Sequence, residues 1–424
     1  MSCADDQLLK HLDTKTLINN CSAIRESTDM SQINGVMSTI KDRLKSQLVR
    51  WVKWLGIEVL SREQSTAFLA DYLIAANPGD RVMLPAVNDF TDPDKRLFDR
   101  TGAIAEPVYV WRYESLHPKP RLLRCGALFI EGKVLCMDWI GNRRLMGEII
   151  NPARRVTHEV DTVIAPWSHY LDGIRFGGYY DYVILIAAKL CRIKETLPED
   201  VFNRAAVAYP LFGTSYEREL LALIGVGTER IFDSRLTTIS FKTAVVGNSG
   251  HWFYPNVADL MALKRQIDAQ LPNVPHERNR ANSGQSRPGR IYISRSGRRR
   301  ILNEDALIAL LEKYSIEFIE DKPRTVAEQV AIYRNASFII GPHGASFTNI
   351  LWCQPGTHLV ELFSPNYTPD FFPYMAQRLG LRYSAYFHGP ESSNRFSGLD
   401  EDITVSIPDL DRSLAALFAV KTSV

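Results

Sequence analysis

Two short segments of this sequence combine residue types that bind phosphate groups. The first, GPHGAS at residues 341–346, follows the apolar run SFII and precedes a helical pattern. Glycines allow backbone atoms to approach a ligand closely, and the N–H groups of a helix starting near Ala345 would attract an anion such as a diphosphate. A tight strand-to-helix turn without a ligand has the same pattern, so this motif alone leaves both interpretations open.

The second segment, RIYISRSGRRR, places Arg295 just beyond the end of a predicted strand, with Arg298, Arg299 and Arg300 behind it. A guanidinium group is always charged and can bind phosphate oxygens through two parallel hydrogen bonds. A basic cluster is also typical of a solvated surface or a nucleic-acid site, but no aromatic residues for base stacking are interleaved here. We therefore expect the phosphate of a small ligand and no nucleic acid.

The elements around these segments alternate between strand and helix. RIYIS, EFIE, SFIIG and HLVELF have the pattern of buried strands, and three helical patterns lie between them. Asn303 is suited to cap the first of these helices, and Thr325 with Glu328 has capping-box spacing before the second. A βαβαβαβ series predicts a parallel, doubly wound sheet, which binds ligands outside the carboxyl ends of its strands. The GPHGAS turn and Arg295 both lie at that edge.

Upstream of this sheet the sequence predicts another α/β unit. Short β-type runs separated by Gly, Pro and Asp occupy residues 80–150, and strand-like and helix-like periods alternate from VDTVIAPW to FKTAVVGN. LPNVPHERNRANSGQSRPGR predicts a surface loop between the units. The predicted divisions are an N-terminal helical extension (1–75), a small β region with an α/β unit (76–255), a Rossmann-like domain (256–408) and a C-terminal helix (409–424).

The composition is that of an ordinary globular chain. Of its 424 residues, 45% are hydrophobic and 23% are charged, with a net charge of +2, which excludes general disorder and any overall bias toward nucleic acid. Six scattered cysteines without a C-x-x-C pair predict a reducing cytoplasm. The N-terminus has no secretory-signal pattern, and no apolar run approaches the roughly 18 residues of a spanning helix. We expect a soluble protein, or at most a peripheral one.

One basic amphipathic helix, at residues 44–60, has two interpretations. Leu44, Leu48, Trp51 and Leu55 form an apolar stripe flanked by basic side chains. Such a helix can lie on the inner face of a membrane, where cationic residues meet anionic lipids. A stripe of this width also packs against the rest of its own protein.

Acidic pairs of the D-x-D type raise the question of a metal. None follows a predicted strand: the first lies in the loop FTDPDKR, the second in a charged turn and the third at the start of the last helix. We therefore expect no metal and no cofactor, with arginines in place of Mg²⁺ or Mn²⁺. The three pairs are Asp92/Asp94, Asp400/Asp402 and Asp409/Asp411.

The segment from YISRSGRRRILNEDALIALLEKY through TVAEQVAIYRNASFIIGPHGASFTNILWCQPGTHLVELF resembles the core of glycosyltransferase family 61. The arginine-rich strand end, NED, AEQV and GPHGA-x-x-TN occur in the family's order. Members include plant xylan xylosyl- and arabinosyltransferases, animal O-linked N-acetylglucosaminyltransferases and bacterial polysaccharide-assembly proteins. Upstream, PWSHYLDGIRFGGYYDYVILI is more loosely similar to a family motif in which a carboxylate follows a histidine by four residues. Here Gly173 has that place, and Asp172 precedes it.

The resemblance implies a GT-B-like fold, with two Rossmann-like α/β domains facing across a cleft. It implies an inverting hexosyl- or pentosyltransferase that moves a sugar from a nucleotide sugar, with UDP favoured, to a glycan or glycolipid hydroxyl in surface-polysaccharide assembly. Residues 256–408 would bind the donor, and residues 76–255 would present the acceptor. The alternative is a non-catalytic nucleotide-sugar or glycan-binding protein with a degenerate acceptor site.

The resemblance also implies two groups of site residues. His169 would be the general base, because an imidazole pKa of about 6.5 suits proton uptake near neutral pH, with Asp172 orienting it or replacing it. A buried histidine bonded to backbone is the alternative. The residues implied on the donor side are Arg295, Arg299, Gly341, His343, Gly344, Ala345, Thr348, Asn349 and Glu361.

Several donor-side residues have a second interpretation. His343 could contact the diphosphate or fix the loop. Thr348 and Asn349 could reach the donor or pack against the neighbouring loop. Glu361 could accept hydrogen bonds from ribose hydroxyls, or it could face water at the end of its strand, which is common for carboxylates.

Overall fold

The computed structural model describes residues 56–115, 120–138, 156–171, 178–272, 289–364, 366–389 and 398–419. The chain divides into two units, Met1–Glu58 and Val59–Val424. Of the first unit only residues 56–58 are described, so most of the predicted N-terminal extension and of the basic helix 44–60 lies outside the described residues. The predicted divisions near residues 75, 255 and 408 stay predictions.

Strands and helices alternate through the second unit, and short strands dominate before residue 135. The strands are β1 (Glu58–Val59), β2 (Leu73–Asn77), β3 (Asp80–Leu84), β4 (Val87–Asn88), β5 (Arg96–Phe98), β6 (Thr101–Ala105), β7 (Val108–Glu114), β8 (Arg121–Leu122), β9 (Leu128–Ile130), β10 (Lys133–Val134), β11 (Val156–Ala165), β12 (Ala206–Tyr209), β13 (Ile231–Asp233), β14 (Thr237–Gly247), β15 (Gly289–Ile293), β16 (Ile316–Ile319), β17 (Ala336–Pro342), β18 (His358–Phe363) and β19 (Arg382–Phe387). The α-helices are α1 (Arg62–Phe68), α2 (Tyr179–Asp181), α3 (Ala188–Thr196), α4 (Glu199–Arg204), α5 (Ser215–Ile224), α6 (Val257–Gln270), α7 (Glu304–Glu312), α8 (Val326–Arg334), α9 (Phe371–Arg378) and α10 (Ile407–Ala419). A π-helical segment (Tyr182–Ala187) joins α2 to α3, and 3₁₀ helices cover Ala70–Tyr72, His169–Leu171, Thr228–Arg230 and Ala345–Trp352.

The larger sheet contains the predicted upstream α/β unit. Four parallel strands lie in the order β14, β11, β12, β13, while β7 and β8 pair antiparallel with the other edge of β14. From β11 the chain passes to β12 and β13 on one side, and it then returns to place β14 on the opposite side. The direction of strand addition therefore reverses between β11 and β14, and such reversals create ligand crevices at the carboxyl edge.

The second sheet is entirely parallel, in the order β16, β15, β17, β18, β19. The four predicted strands are confirmed, and β19 is a fifth that was not predicted. Here the direction of strand addition reverses between β15 and β17. The arginine cluster follows β15 and the GPHGAS turn follows β17, so both predicted phosphate-binding segments lie at this reversal.

Alternate residues of the second sheet pack against different helix layers. Tyr292 and Ile340 contact residues of α7 and α10, whereas Ile339 and Leu359 join a cluster that includes Leu263 of α6. One face of the second sheet therefore shares an apolar core with the helices of the first. The fold is mixed α/β, with helices on both faces of the second sheet.

Helix starts agree only partly with prediction. The capping box of Thr325 and Glu328 is present at α8. Asn303 precedes α7, but its side chain bonds to the backbone of Val405 instead of capping the helix. The predicted helix near Ala345 is 3₁₀, not α. Within the described ranges, no helix has both the length and the apolar character that crossing a membrane requires.

Candidate functional site

Arg295 and Arg299 converge on one backbone carbonyl at the end of β17. Arg295 Nη1 donates to His343 O at 3.3 Å, and Arg299 Nε donates to the same oxygen at 3.2 Å. Arg299 also donates to the carbonyl of Leu399, and its guanidinium lies 4.9 Å from the centre of the Tyr367 ring. Two cationic side chains thus meet at the reversal between β15 and β17.

These two guanidinium groups are desolvated without a carboxylate partner. Arg299 is 5% exposed and Arg295 is half-buried. Among the described residues, no carboxylate lies within the 4.0 Å of an ion pair with either group. Burial, followed by repulsion from Arg295, lowers the pKa of Arg299 to about 10. Burial and the charge of Arg298 likewise lower the pKa of Arg295. A bound anion would relieve this repulsion.

The neighbouring arginines are arranged differently. Arg298 pairs with Asp400 at 3.0 Å, and Arg300 pairs with Asp402 at 3.0 Å. The second D-x-D pair, Asp400/Asp402, therefore forms ion pairs with arginines. The third pair is also engaged, since Asp411 bonds to Lys313 and Tyr314 and Asp409 to Arg412. Within the part of the chain that the structure describes, no three His, Cys, Asp or Glu side chains are grouped to hold a metal.

The two glycines of the turn make room for parts of the protein itself. A Cβ atom on Gly341 would lie 2.7 Å from the carbonyl oxygen of Ile293, on the neighbouring strand β15. A Cβ atom on Gly344 would lie 1.7 Å from Arg295 Nη1. Gly344 is therefore required for the observed position of the Arg295 guanidinium. The motif predicted that both glycines let backbone atoms approach a ligand, whereas these neighbours within the protein give a different reason for the two glycines.

His343 is held behind the turn by a chain of buried hydrogen bonds. Its side chain is 3% exposed, its Nδ1 bonds to Glu361 Oε1, and Tyr383 donates to Glu361 Oε2 at 2.6 Å. Its ring stacks on Phe363 with centroids 5.3 Å apart. Burial lowers the pKa of His343, against the opposing effect of Glu361 and with a contribution from Arg299. These contacts fix the loop, and Glu361 is fully buried instead of facing water.

The residues that follow the turn are occupied by internal contacts. Thr348 Oγ1 donates to the carbonyl of the half-buried Ala345 at 2.7 Å. Asn349 is 1% exposed, and its Oδ1 accepts from Tyr179 at 2.7 Å and from Trp352 Nε1 at 2.9 Å. Both side chains form hydrogen bonds within the protein, and their contact with the donor stays a prediction.

His169 lies after β11, at the reversal of the first sheet, and is 3% exposed. It interacts electrostatically with the buried Asp138, which pairs with Lys189 at 3.5 Å and accepts from the backbone of Ser249 at 2.5 Å. Burial raises the pKa of Asp138, but Lys189, the Ser249 N–H and His169 together outweigh it and hold the pKa below its usual range. Asp172 lies outside the described residues.

His251, Tyr254 and Asp370 form a cluster that was not predicted from the sequence. His251 and Tyr254 follow β14, on the other side of the same reversal from His169. Tyr254 donates to Asp370 Oδ2 at 2.7 Å, and the His251 ring stacks on that of Tyr254 with centroids 4.7 Å apart. The signal was present, because HWFY follows the strand FKTAVVG just as WSHY follows VDTVIAP.

Comparison with known proteins adds independent information. The profile of the family described as Glycosyltransferase 61 matches residues 83–360. The chain is 28% identical over 122 residues to Xylan glycosyltransferase MUCI21 of Arabidopsis thaliana, across 27% of this chain and 25% of that protein. It is 33% identical over 99 residues to the EGF domain-specific O-linked N-acetylglucosamine transferase of Drosophila melanogaster, across 22% and 19%. It is 33% identical over 106 residues to the Protein O-linked-mannose beta-1,4-N-acetylglucosaminyltransferase 2 of Homo sapiens, across 23% and 18%.

These alignments span a quarter or less of the length of each relative. The family profile, by contrast, matches more than half of this chain and includes both the Arg295 strand end and the GPHGAS turn. The family resemblance seen in the sequence is thereby confirmed. This chain belongs to the Glycosyltransferase 61 family.

Proposed function

We propose that the chain is a glycosyltransferase that moves a sugar from a nucleotide sugar, with UDP the favoured nucleotide, to a hydroxyl of a glycan or glycolipid in surface-polysaccharide assembly. Family membership supports the reaction class, and the relatives are named as a xylan glycosyltransferase and N-acetylglucosamine transferases. The observation that carries the proposal is the convergence of Arg295 and Arg299, desolvated and without a carboxylate partner among the described residues, at the reversal of the second sheet.

In the proposed reaction the acceptor oxygen attacks the anomeric carbon in one inverting displacement. The bond to the diphosphate breaks as the new glycosidic bond forms, and negative charge develops on the departing phosphate oxygen. Fixed cations at that position stabilise the transition state, which is the role we assign to Arg295 and Arg299. The same charges would replace a divalent metal, so we propose a metal-independent reaction.

We further propose a GT-B-like division of labour between the sheets, with the donor at the second and the acceptor at the first. Both sheets have a reversal at which a ligand crevice can form, and the Tyr254–Asp370 hydrogen bond connects the two edges. The family resemblance pointed to His169 or Asp172 as the base that takes the acceptor proton. The burial of His169 beside Asp138 and Lys189 favours a structural role for this histidine.

The direct test incubates the purified chain with a panel of UDP-sugars and oligosaccharide acceptors in excess EDTA and measures UDP release and product mass. We expect transfer from at least one donor, with inversion at the anomeric carbon. Activity that appears only after Mn²⁺ is restored would contradict the metal-independent mechanism. Saturable UDP binding without transfer from any donor would favour a non-catalytic binding protein.

A further inference from the structure

We propose that Asp370 accepts the proton of the acceptor hydroxyl, with Tyr254 as a positioning residue and His251 as a hydrogen-bond donor beside it. This inference rests on the proposed glycosyltransferase function and deepens it. The proposed base is then at the start of α9, which packs with the second sheet. His169, in the 3₁₀ helix after β11, is not the base.

Asp370 lies next to the GPHGAS turn. The two residues that follow it, Phe371 and Phe372, contact the His343 ring with centroids 6.0 and 5.5 Å apart. Phe371 also contacts Phe253, from the segment after β14, at 4.5 Å. The carboxylate therefore lies between the segment that follows β14 of the first sheet and the GPHGAS turn of the second sheet. A base for the transfer reaction must be in this region, because it has to reach the hydroxyl that attacks the donor.

The Asp370 side chain does not make the contact that its position in the helix favours. Aspartate at an N-cap normally accepts hydrogen bonds from the first backbone N–H groups of its own helix. Asp370 occupies the N-cap of α9 but forms no such bond, and its Oδ2 accepts from Tyr254 instead, at 2.7 Å. The carboxylate is thus held away from its helix by a residue of the first sheet's edge.

A cavity beside Asp370 provides space for a ligand. It has a volume of about 230 Å³ and is bounded by β3, the β4–β5 hairpin and the start of α9, with Leu84, Phe98 and Asp99 in its wall. Asp370 is half-buried at this cavity. A partly desolvated carboxylate in the wall of a pocket that also has apolar side chains is a typical arrangement for a polar group that contacts substrate.

His251 cannot take the base's role in the observed geometry. Its Nδ1 accepts from the backbone N–H groups of Phe253 and Tyr254, each at 3.1 Å. A neutral imidazole with an accepting Nδ1 carries its hydrogen on Nε2, so it presents a donor. Burial lowers the pKa of His251, against the opposing effect of Glu106 and Asp370, and so favours the neutral ring. Proton uptake at Nδ1 would break both backbone bonds.

The proton of the acceptor hydroxyl moves to the Asp370 carboxylate while the hydroxyl oxygen forms its bond to the anomeric carbon. The bond between that carbon and the diphosphate breaks, and the electron pair stays on the diphosphate oxygen facing Arg295 and Arg299. The protonated Asp370 then returns its proton to water. No oxidant, reductant or metal is needed.

The test compares Asp370→Asn with Asp71→Asn, since Asp71 is an exposed carboxylate that does not line this cavity. The assay is transfer from the UDP-sugar that the donor panel identifies. Asp370→Asn should lower kcat by roughly 10²- to 10⁴-fold, the usual cost of losing a general base, with UDP affinity and melting temperature near wild type. Asp71→Asn should retain wild-type kcat. An Asp370→Asn variant with wild-type kcat would overturn the assignment.

Tyr254→Phe keeps the proposal testable if Asp370→Asn does not fold. Removing the charge-assisted hydrogen bond from the tyrosine hydroxyl to the carboxylate should lower kcat by roughly ten- to a hundredfold while KM for the donor and the melting temperature stay unchanged. Unchanged kcat in this variant would contradict the positioning role. A wild-type chain that turns over no UDP-sugar would contradict the proposed function itself, whereas an active wild type with an equally active Asp370→Asn would contradict this inference alone.

Discussion

Arg299 has an unusual backbone conformation, with φ of 61° in the left-handed region that non-glycine residues rarely adopt. Such conformations often occur at functional sites, where the surrounding structure holds them in place. In Arg299 this conformation coincides with a buried guanidinium that contacts His343 O. Sequence alone could not show which of three consecutive arginines points inward, because they are identical in type and the backbone decides. The other two arginines, Arg298 and Arg300, form ion pairs with Asp400 and Asp402.

Replacing Arg295 by alanine should weaken UDP binding with the fold intact. A charge-assisted hydrogen bond contributes about 1.5–3 kcal/mol, which corresponds to roughly ten- to a hundredfold in affinity. Calorimetric titration with UDP measures the change. The matched control is Arg300→Ala, because Arg300 is exposed and paired with Asp402. Equal UDP affinity in Arg295→Ala and Arg300→Ala would show that Arg295 is only a structural charge.

At the scale of elements, the turn between β17 and the 3₁₀ helix is shaped by Gly344 and Arg295. A methyl group at residue 344 would displace the Arg295 guanidinium, whose Nη1 lies 1.7 Å from the position of the added atom. The displaced atom is the end of a flexible side chain, so we expect little loss of stability. The conformation of the turn and the position of the arginine are therefore coupled.

Gly344→Ala should reduce UDP affinity by about as much as Arg295→Ala does, roughly ten- to a hundredfold. The double variant should bind UDP no more weakly than Arg295→Ala alone, because both changes remove the same contact. Gly297→Ala is the control, since a Cβ atom at Gly297 has no neighbour within 4 Å. Additive losses in the double variant would mean that Gly344 and Arg295 act separately.

Strands and helices were predicted correctly where their local sequence pattern determines the structure. The apolar runs of β15 to β18 and the Thr325–Glu328 capping box are short-range signals, and the structure contains them. In the 3₁₀ helix Ala345–Trp352, Asn349 forms hydrogen bonds with Tyr179 and Gln329, which lie on other elements. Tertiary contacts of this kind do not appear in a single stretch of sequence.

At the scale of the whole second unit, hydrogen bonds between distant segments hold the two sheets' edges together. Tyr179 donates to Asn349, and Tyr374 donates to the carbonyl of Pro255, each at 2.7 Å. The sequence indicated two α/β units and a donor site at the carboxyl edge of the second. It could not pair Tyr254 with Asp370, because these residues are separated by 116 positions and neither belongs to a recognised motif.

Replacing Asn349 by alanine should destabilise the fold without affecting UDP affinity. The change would leave the Tyr179 hydroxyl and Trp352 Nε1 without their acceptor, and each buried unsatisfied group costs about 1–3 kcal/mol. Chemical denaturation should therefore show a loss of roughly 2–6 kcal/mol in the free energy of unfolding. Unchanged stability together with weakened UDP binding would instead make Asn349 a donor-binding residue.

We propose that desolvated arginines, not a metal, bind the diphosphate of the donor, and UDP calorimetry in excess EDTA is the decisive measurement of this claim. We predict saturable binding of one UDP per chain to the wild type, loss of measurable binding in the Arg295→Ala/Arg299→Ala double variant, and no gain when Mn²⁺ replaces EDTA. Absence of UDP binding to the wild type until Mn²⁺ is added, or undiminished binding in a folded double variant, would contradict the claim.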